Sequence, residues 1–463
     1  MNGDRSERVP GPNQVSRALL GKYAVSGPRY TSYPTAPHFR EEFDQARVRA
    51  AWAASNIAGR GLSLYMHLPF CRRRCLYCGC NTEIGHTRST TDAYVDAMLC
   101  EADHLLTLID RDRPVEQLAL GGGTPTFLSR EQMARLVAGL RGRFHFPEKG
   151  ERSLEIDPRS VDEEYLDGLL DLGFNRMSFG VQDLDPVVQR NIGRVQPAGK
   201  VAALLDHLHG RGMSALNVDL IYGLPGQTPD RFGATVRAVA GMRPSRIAMF
   251  GYAHVPWISP HQKALENRGL PDAEARMELF GLGFELLLQA GYRHVGMDHF
   301  ALPEDELVTA LEQHTLTRNF MGYTTHRGLD LVGLGASSIS AVGHSFTQNA
   351  KDVACYLERA QGGAWMKALL VNAEDLLRRE IIIDLFCNFH LDRRRIEESF
   401  GIDFGVHFSS ELACLAPLQA DGLLEVADGD ITVSGLGRFF IRNICMVFDQ
   451  YLDDGAQRYS RTH

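Results

Sequence analysis

A C-x3-C-x2-C spacing lies in one short stretch of this chain, Cys71-Arg72-Arg73-Arg74-Cys75-Leu76-Tyr77-Cys78, directly after the apolar run Leu62–Leu68. This spacing lets three thiolates converge from a single loop. Iron–sulfur clusters are held by cysteine thiolates, usually four, so three ligands leave one iron of a [4Fe–4S] cluster open to another molecule. A structural zinc site is the alternative. Zinc motifs normally contain two well-separated C-x2-C pairs, and the chain has no second pair, so the stretch favours a cluster.

Cys80 follows the third cysteine of this loop after one residue, in Cys78-Gly79-Cys80-Asn81. It fits a fourth ligand that closes the cluster, a thiol beside the cluster, or an inert buried cysteine, which is a common state of free cysteines. We favour a thiol that lines the site without binding iron.

Short apolar runs alternate with amphipathic stretches from Leu62 onward. The runs typical of buried strands are Leu62–Leu68, Gln117–Leu120, Ser153–Ile156, Arg176–Val181, Ala215–Ile221, Arg246–Tyr252 and His294–Met297. Helical stretches lie between most of them, at Asp92–Leu108, Arg130–Leu140, Asp162–Leu172 and Ala198–His209. This alternation predicts parallel βαβ units and hence an α/β fold. Six units fit, which favours a partial (β/α)6 barrel, although an open doubly wound sheet fits the same pattern.

The pattern divides the chain into three predicted regions: an N-terminal arm (1–50), a catalytic barrel (51–350) and a small, mostly helical C-terminal domain (351–463). The arm contains aromatic residues and prolines without any period, so we expect an extended segment that lies across another part of the protein. The C-terminal region reads as two helices and a hairpin, at Glu374–Phe386, Arg393–Phe400, and Leu423–Val426 with Ile431–Val433. This order predicts a winged-helix-like domain.

The composition is that of a globular protein with a large core. Hydrophobic residues make up 44% and charged residues 23% of the 463 residues, and this length favours more than one folded unit. The net charge of −8, without a long run of Lys or Arg, argues against a nucleic-acid partner. The first residues lack the apolar segment of a signal peptide, and no apolar stretch reaches the roughly 20 residues that cross a membrane. Nine cysteines are too few for a disulfide scaffold of this length. We therefore expect a cytoplasmic protein.

Glycines and carboxylates stand where the predicted strands end. Gly121-Gly122-Gly123-Thr124-Pro125-Thr126 follows the second run, and glycines let a ligand approach backbone N–H groups closely. A plain tight turn is the alternative. Glu155 ends the third run, Asp157 follows it, and Asp219 lies inside a buried run. A carboxylate in a buried strand is costly unless it is paired or used, and carboxylates bind ribose hydroxyls. We expect these groups to meet at the carboxyl end of the barrel, where such folds carry their sites.

With these residues in place, the chain resembles the oxygen-independent coproporphyrinogen III oxidases, radical S-adenosylmethionine (SAM) dehydrogenases of haem synthesis. The resemblance runs from Arg29 to Leu452. It is carried by Arg29–Ala36, His67–Cys71, Gly79–Asn81, Gly121–Thr126, Gly180–Asp183, Asp219–Pro225, Gly296–Phe300, Arg318–Phe320 and Arg442–Cys445. The cysteine spacing by itself indicates only radical SAM chemistry, whereas the arm, the C-x-C ending and the C-terminal tail make the resemblance specific.

The resemblance implies two cofactors, a [4Fe–4S] cluster bound by Cys71, Cys75 and Cys78, and two molecules of SAM. The positions that match the family's SAM contacts are Tyr65, Tyr77, Gly122, Gly123, Thr124, Glu155, Gln182, Arg194, Asp219, Ala253 and Ile339. Gln182 and Arg194 depend mainly on the resemblance, because a single Gln or Arg after a strand is more often a solvated surface residue.

The resemblance also implies a reaction, the oxidative decarboxylation of two propionates of coproporphyrinogen III to vinyl groups, which gives protoporphyrinogen IX. A 5′-deoxyadenosyl radical made from SAM would remove the hydrogen. Because the substrate has four carboxylates, it needs cationic partners, and we consider Arg29 and Arg318 as candidates against the alternative of solvated arginines. No catalytic acid or base is assigned. The expected partners are the substrate and an electron donor such as a flavodoxin or ferredoxin, with no nucleic acid and no membrane, and we expect a monomer.

Two other functions fit parts of this pattern. The first is a related SAM enzyme or haem-handling protein with the same cluster but no oxidase activity, although such relatives tend to lack the arm and Cys80. The second is a cluster-bearing protein that transfers haem or metal without catalysis. Formation of 5′-deoxyadenosine from SAM would separate an enzyme from a binding protein.

Overall fold

The computed structural model describes residues 15–452 of the chain. Its helices are α1 (Arg17–Lys22), α2 (Gln45–Ser55), α3 (Arg88–Leu105), α4 (Arg130–Arg141), α5 (Glu163–Asp171), α6 (Pro186–Ile192), α7 (Ala198–Gly210), α8 (Pro229–Gly241), α9 (Ala273–Gln289), α10 (Glu306–Glu312), α11 (Val353–Arg359), α12 (Ala373–Asn388), α13 (Arg393–Phe400), α14 (Phe404–His407), α15 (Ser409–Ala420) and α16 (Ile441–Met446).

The strands are β1 (Leu62–Leu68), β2 (Phe70–Cys71), β3 (Glu83–Ile84), β4 (Val115–Gly122), β5 (Glu151–Ile156), β6 (Arg176–Gln182), β7 (Leu216–Tyr222), β8 (Arg246–Gly251), β9 (Arg293–Gly296), β10 (His299–Ala301), β11 (Thr317–Asn319), β12 (Gly322–Thr324), β13 (Asp330–Leu334), β14 (Ile339–Val342), β15 (Ser345–Asn349), β16 (Trp365–Leu370), β17 (His390–Asp392), β18 (Leu424–Val426) and β19 (Asp430–Val433).

The described chain forms two compact units. The barrel unit consists of residues 39–272 and 328–371, and the terminal unit of residues 15–38, 273–327 and 372–452. The three predicted regions, 1–50, 51–350 and 351–463, stay a prediction.

The barrel unit is built on one sheet whose strands lie in the order β16-β15-β14-β13-β1-β4-β5-β6-β7-β8. The strands β1 and β4 to β8 are parallel to their neighbours and follow one another in chain order. A doubly wound sheet reverses its strand order at a switch point. Because this series does not reverse, the prediction of a partial (β/α)6 barrel is confirmed.

The helices of this unit begin at side chains that satisfy free N–H groups. Ser129 accepts a hydrogen bond from the N–H of Gln132 at the start of α4, and the Gln132 side chain accepts one from the N–H of Ser129. Asp162 and Thr228 each accept one such bond at the start of α5 and α8, from the N–H groups of Tyr165 and Arg231. These caps set each helix directly after the loop that leaves a strand, so the loops at the carboxyl edge of the sheet stay short and ordered.

The sheet also extends on the other side of β1, which the sequence analysis missed. There, β13 pairs with β1 in parallel, and β14, β15 and β16 follow as an antiparallel meander. These strands are short, and only β15 and β16 have a helix (α11) between them, so the series lacks the regular alternation with helices that marked the other six.

The terminal unit has a core of its own, formed by buried residues from three separate parts of the chain. The predicted C-terminal helices and hairpin are present as α12, α13, β18 and β19, and β17 completes a small antiparallel sheet. The run predicted at His294–Met297 is strand β9, which pairs with β10 in an antiparallel hairpin. The connection of two residues is too short for a parallel crossover, so this run adds no further βαβ unit.

Residues 15–38 of the predicted arm belong to the terminal unit, and residues 39–50 belong to the barrel unit. Tyr30 and Tyr33 are buried, and the Tyr30 hydroxyl donates to Asp449 at 2.9 Å. The Arg442 guanidinium donates to the carbonyl of Pro28 at 2.9 Å and to that of Gly27. The aromatic residues of the arm are therefore part of a folded core and are not a solvated tail. Within residues 15–452 no helix has the length and hydropathy needed to cross a membrane.

Candidate active site

The cysteine loop is held at both ends by a short parallel pair of strands. Cys71 ends β2, which pairs with β3 at Glu83 and Ile84, so residues 72–82 form a closed loop above β1 and β4. Within the loop, the N–H of Cys78 donates to the carbonyl of Cys75 at 3.2 Å. This turn brings the second and third cysteines to the same side of the loop.

Each cysteine side chain of the motif has a polar neighbour. The Cys71 sulfur lies 3.4 Å from the Thr124 hydroxyl, at the end of the glycine run. The Cys75 sulfur lies 3.6 Å from a guanidinium nitrogen of Arg159 and 3.6 Å from one of Arg194. Two guanidinium groups at one sulfur offset the negative charge that thiolate ligands bring.

Protonation differs among these thiols. Burial raises the pKa of Cys71 to about 11. A hydrogen bond from Cys80 lowers the pKa of Cys78 to about 6, against the effect of burial. The Cys80 thiol is thus a hydrogen-bond partner of Cys78, which agrees with a position beside the motif.

The donor set fits a [4Fe–4S] cluster. Three thiols reach one side of a single loop, and the cationic groups that would balance a thiolate cluster are in contact with one of them. Among residues 15–452, no three His, Cys, Asp or Glu side chains converge on the position of a single metal ion. A cluster requires a wider spacing, because its thiolates bind different irons.

The glycine run ends β4 and leaves no room for side chains. A Cβ on Gly122 would lie 2.7 Å from the His67 ring, and Gly122 has a φ of +113° that favours glycine. A Cβ on Gly123 would lie 2.6 Å from the carbonyl of Pro69. The N–H of Gly122 donates to Glu155 at 3.2 Å. These glycines therefore let β4 approach the strand that leads into the cysteine loop, and they are more than a plain turn.

Two carboxylates come from β5 and β7, and of these residues Glu155 is exposed and Asp219 is half-buried. Desolvation of its carboxyl by neighbouring protein groups raises the pKa of Glu155 to about 7 although the residue is exposed, and the charge of Asp219 contributes. Desolvation also raises the pKa of Asp219 to about 6, although hydrogen bonds from Asn217 at 2.8 Å and Ser178 at 3.4 Å oppose that rise. Both carboxyls are therefore poised to change charge on binding a cationic ligand.

A second group forms after β5 and β6. Arg194 follows helix α6, contacts Asp157 at 3.2 Å and donates to the carbonyl of Gly180. Gln182 ends β6 with a φ of +70°, and its amide lies 2.9 Å from a Cβ placed on Gly180. Arg159 also pairs with Asp157, at 2.6 Å. Although burial opposes ionisation, these two arginines lower the pKa of Asp157 overall, so it stays charged between them.

The remaining predicted positions lie on the same edge of the sheet or next to it. Tyr65 in β1 lies beside the glycine run, and its hydroxyl is 3.1 Å from His67. The carbonyl of Tyr77 accepts a hydrogen bond from Gln262 at 2.8 Å. Ile339 begins β14, and its carbonyl is 2.5 Å from a Cβ placed on Gly333, the residue that pairs with Tyr65.

Ala253 is the predicted position with the fewest ties to the others. It lies in the loop after β8, where the N–H of Tyr252 donates to the carbonyl of Tyr222 at 2.8 Å. The barrel unit thus brings together all the predicted cofactor positions except Ala253, for which only this placement after β8 is established.

Sequence reasoning missed several residues of this edge. Arg159 contacts Cys75, and Asn217 and Ser178 hold Asp219. The sequence contained a signal for Asn217, because this residue lies two positions before Asp219 and therefore shares its face of β7. Arg159 gave no signal, because an arginine near a strand end is usually solvated.

The two predicted substrate arginines lie in the terminal unit. Arg29 is 4.0 Å from Asp298, whose pKa is raised by burial and lowered by Arg29, Arg318 and Arg442. Arg318 lies over the rings of Tyr323 and Phe386, at 5.0 and 5.2 Å. Its buried Nε has no hydrogen-bond partner within residues 15–452. Three guanidinium groups therefore act on one carboxyl, which leaves an excess of positive charge here.

Two family models match separate regions of this chain. Residues 65–239 match the Radical SAM superfamily, and residues 371–440 match the HemN C-terminal domain. The oxygen-independent coproporphyrinogen III oxidase of Salmonella typhimurium is 43% identical over 448 residues, which cover 96% of this chain and 97% of that protein. The protein of that name from Pseudomonas aeruginosa is 42% identical over 451 residues, with coverages of 96% and 97%.

A solved structure agrees with these matches. Coproporphyrinogen III oxidase (HemN) from Escherichia coli, described as a radical SAM enzyme, superimposes with a TM-score of 0.89 at 42% identity. The match covers 92% of this chain and 98% of that one.

Proposed function

We propose an activity for this chain on the premise that it belongs to the family of oxygen-independent coproporphyrinogen III oxidases. It converts two propionate side chains of coproporphyrinogen III to vinyl groups without oxygen and gives protoporphyrinogen IX in haem synthesis. The observation that carries this proposal is the cysteine loop, with Arg159 and Arg194 at Cys75, Thr124 of the glycine run at Cys71, and Gly122 bonded to Glu155.

Cys71, Cys75 and Cys78 bind the [4Fe–4S] cluster, and Cys80 lies outside it. When bound and reduced, the cluster supplies the electron that splits SAM and so provides the 5′-deoxyadenosyl radical that attacks a propionate. Arg159 and Arg194 stabilise the thiolates electrostatically, since both contact the Cys75 sulfur. The Thr124 hydroxyl orients the Cys71 sulfur from the end of the glycine run.

The chain binds two SAM molecules at the carboxyl edge of the barrel sheet. The positions that take part are Tyr65, Tyr77, Gly122, Gly123, Thr124, Glu155, Gln182, Arg194, Asp219, Ala253 and Ile339. The glycines let a ligand approach backbone N–H groups. Glu155 and Asp219 accept hydrogen bonds and attract the positive charge of SAM.

Arg29 and Arg318 bind carboxylates of the substrate. The support for this role is the excess of guanidinium groups around Asp298, together with the Arg318 Nε that lacks a hydrogen bond. Arg442 holds the segment that carries Arg29 through the carbonyls of Gly27 and Pro28.

The protein acts in the cytoplasm as a monomer and takes electrons from a flavodoxin or ferredoxin. It needs neither nucleic acid nor membrane for this activity. The net charge of −8 and the lack of a run of Lys or Arg in the sequence support the statement that no nucleic acid is needed.

The direct test is an anaerobic assay of the reconstituted protein with SAM, dithionite and coproporphyrinogen III. We expect 5′-deoxyadenosine and protoporphyrinogen IX to form together. If 5′-deoxyadenosine forms without any change in the porphyrinogen, the chain is a radical enzyme with another substrate. If neither product forms while the cluster is intact, the chain is a cluster-bearing binding protein and the proposal fails.

The substrate arginines have their own test. Arg29→Gln and Arg318→Gln should each raise KM for coproporphyrinogen III roughly tenfold or more, because each removes a charge-assisted hydrogen bond worth about 1.5–3 kcal/mol. Iron content and SAM affinity should not change. Arg293→Gln, at an exposed position of the same unit, is the matched control. If both test variants keep the wild-type KM, these arginines do not bind the substrate and the alternative of solvated arginines holds.

A further inference from the structure

Two segments of the barrel unit border the cysteine loop on its outer side. The first contains residues 190–195, and the N–H of Leu76 donates to the carbonyl of Ile192 in it at 3.0 Å. The second is the 3-10 helix Pro260–Arg268, from which His261 reaches the carbonyl of Cys78 at 2.8 Å and Gln262 reaches that of Tyr77 at 2.8 Å. Both segments are thus fixed to the backbone that carries the predicted cluster ligands.

This border is strongly cationic. The exposed charged side chains of the loop and of segments 186–195 and 255–270 comprise six cations and one anion, Glu266. Glu266 lies 3.2 Å from His254. The six cations are Arg72, Arg73, Arg74, Arg190, Lys263 and Arg268. A local excess of this size in a chain of net charge −8 is a concentrated basic surface on an acidic protein.

Large apolar side chains stand beside these cations. Trp257 is 58% exposed, Ile258 is 68% exposed and Val195 is 62% exposed. The other two tryptophans of the chain, Trp52 and Trp365, are buried. Exposed aromatic and aliphatic side chains in segments that also carry exposed charges are typical of protein interfaces.

We propose that this surface, which we call the basic rim (the six cations with Val195, Trp257 and Ile258), is the docking site of a small acidic one-electron carrier protein. The inference deepens the proposed function, because it concerns how the cluster of that enzyme is reduced. On docking, the carrier gives up one electron and the oxidised cluster gains it. No atom is transferred between the two proteins in this step.

Three features favour this partner over others. The rim includes the loop that would hold the cluster and two segments bonded to its backbone, so a protein docked there lies next to that loop. Positive charge attracts an acidic carrier from a distance and raises the rate of encounter. The small number of exposed large apolar side chains suits a short-lived complex, and electron-transfer complexes have small interfaces, typically under about 1,200 Å².

The test compares two double variants of equal net charge. Arg190→Glu with Lys263→Glu reverses two rim charges, and Lys149→Glu with Arg237→Glu reverses two exposed charges elsewhere on the barrel unit. Neither pair includes a residue assigned to the cluster, SAM or substrate. Trp257→Ser is a third variant that removes the apolar contact and keeps the charge.

The probe is a reduced flavodoxin, mixed anaerobically with each reconstituted protein at low ionic strength. We expect the rim double variant to be reduced by flavodoxin about tenfold more slowly than the wild type, with the difference shrinking as salt screens the charges. The control double variant should keep the wild-type rate. Dithionite, a small reductant, should reduce all variants equally. Calorimetric titration with oxidised flavodoxin should show weaker binding to the rim double variant and to Trp257→Ser.

Three outcomes would overturn the proposal: a wild-type flavodoxin rate in the rim double variant at low salt, no binding of flavodoxin to the wild type, or a dimer in sedimentation that Trp257→Ser abolishes. The last outcome would assign the surface to a second copy of the chain. Failure of the proposed function is separate, because product formation with dithionite does not require the rim.

Discussion

The Glu155 carboxyl offers a sharp test of the SAM site. It accepts a hydrogen bond from the N–H of Gly122, and desolvation by neighbouring groups, with the charge of Asp219, raises its pKa to about 7. SAM carries a sulfonium and an ammonium group, so it binds the ionised carboxylate in preference to the neutral acid. Glu155→Gln keeps the size of the side chain and removes the charge at every pH.

The magnitude follows from the pKa. Above pH 8 the carboxylate is ionised, and replacing a charge-assisted hydrogen bond worth about 1.5–3 kcal/mol should weaken SAM binding roughly tenfold to a hundredfold. At pH 6 only about one Glu155 in ten is ionised in the free protein, so the wild type loses roughly tenfold in affinity between pH 8 and pH 6. The affinity of the variant does not change in this way. The ratio of the variant's Kd to the wild-type Kd should therefore fall roughly tenfold as the pH is lowered from 8 to 6.

The assay is equilibrium binding of SAM to the cluster-loaded protein between pH 6 and 8. Using the ratio of the two Kd values cancels the titration of SAM itself. Glu148→Gln, at an exposed position of the same unit, controls for the loss of a charge. A ratio that stays constant with pH would refute the assignment of Glu155, and so would unchanged affinity at pH 8 in a variant with full iron content.

Three further predictions follow from single contacts. Cys71→Ala should lose the brown chromophore after anaerobic reconstitution, whereas Cys80→Ala should keep it; a colourless Cys80→Ala protein would contradict the assignment of three ligands. Burial raises the pKa of Glu101 to about 7 in the folded protein, so the unfolded chain ionises first and stability falls as pH rises from about 4.5 to 7, by up to about 3 kcal/mol. Denaturant unfolding should show this loss in the wild type relative to Glu101→Gln, and a constant difference between the two across that range would disprove it. Arg442→Gln should expose the segment at Arg29 to faster tryptic cleavage, because it removes the bonds to Gly27 and Pro28; an unchanged cleavage rate would show that other contacts hold the segment.

Much of the barrel was predictable because its signals are local. The six parallel strands are visible in the sequence as apolar runs separated by amphipathic helices. Their order along the chain is also their order in the sheet. The meander from β13 to β16 was not predictable, since its short strands depend on pairing with β1, which is more than 250 residues earlier in the chain. The strand at His294–Met297 was recognised, but its antiparallel partner follows after a two-residue turn.

The arm illustrates the same limit. Its aromatic residues predicted contact with a folded surface, and Tyr30 and Tyr33 are buried. The partners, among them Asp449 and Arg442, come from the other end of the chain, and no pattern within the arm identifies them.

By itself, the sequence determined the chemistry that this protein can hold: the cysteine spacing, the glycine run and the strand-end carboxylates are short patterns whose meaning depends on residue type and distance along the chain. Only the tertiary structure decided the surroundings of those groups. It set Arg159 and Arg194 on the sulfur of Cys75 and brought Glu155 close enough to Asp219 for their charges to interact. Charges and enclosure act through space, so residues far apart in the chain tune one another only after the chain has folded.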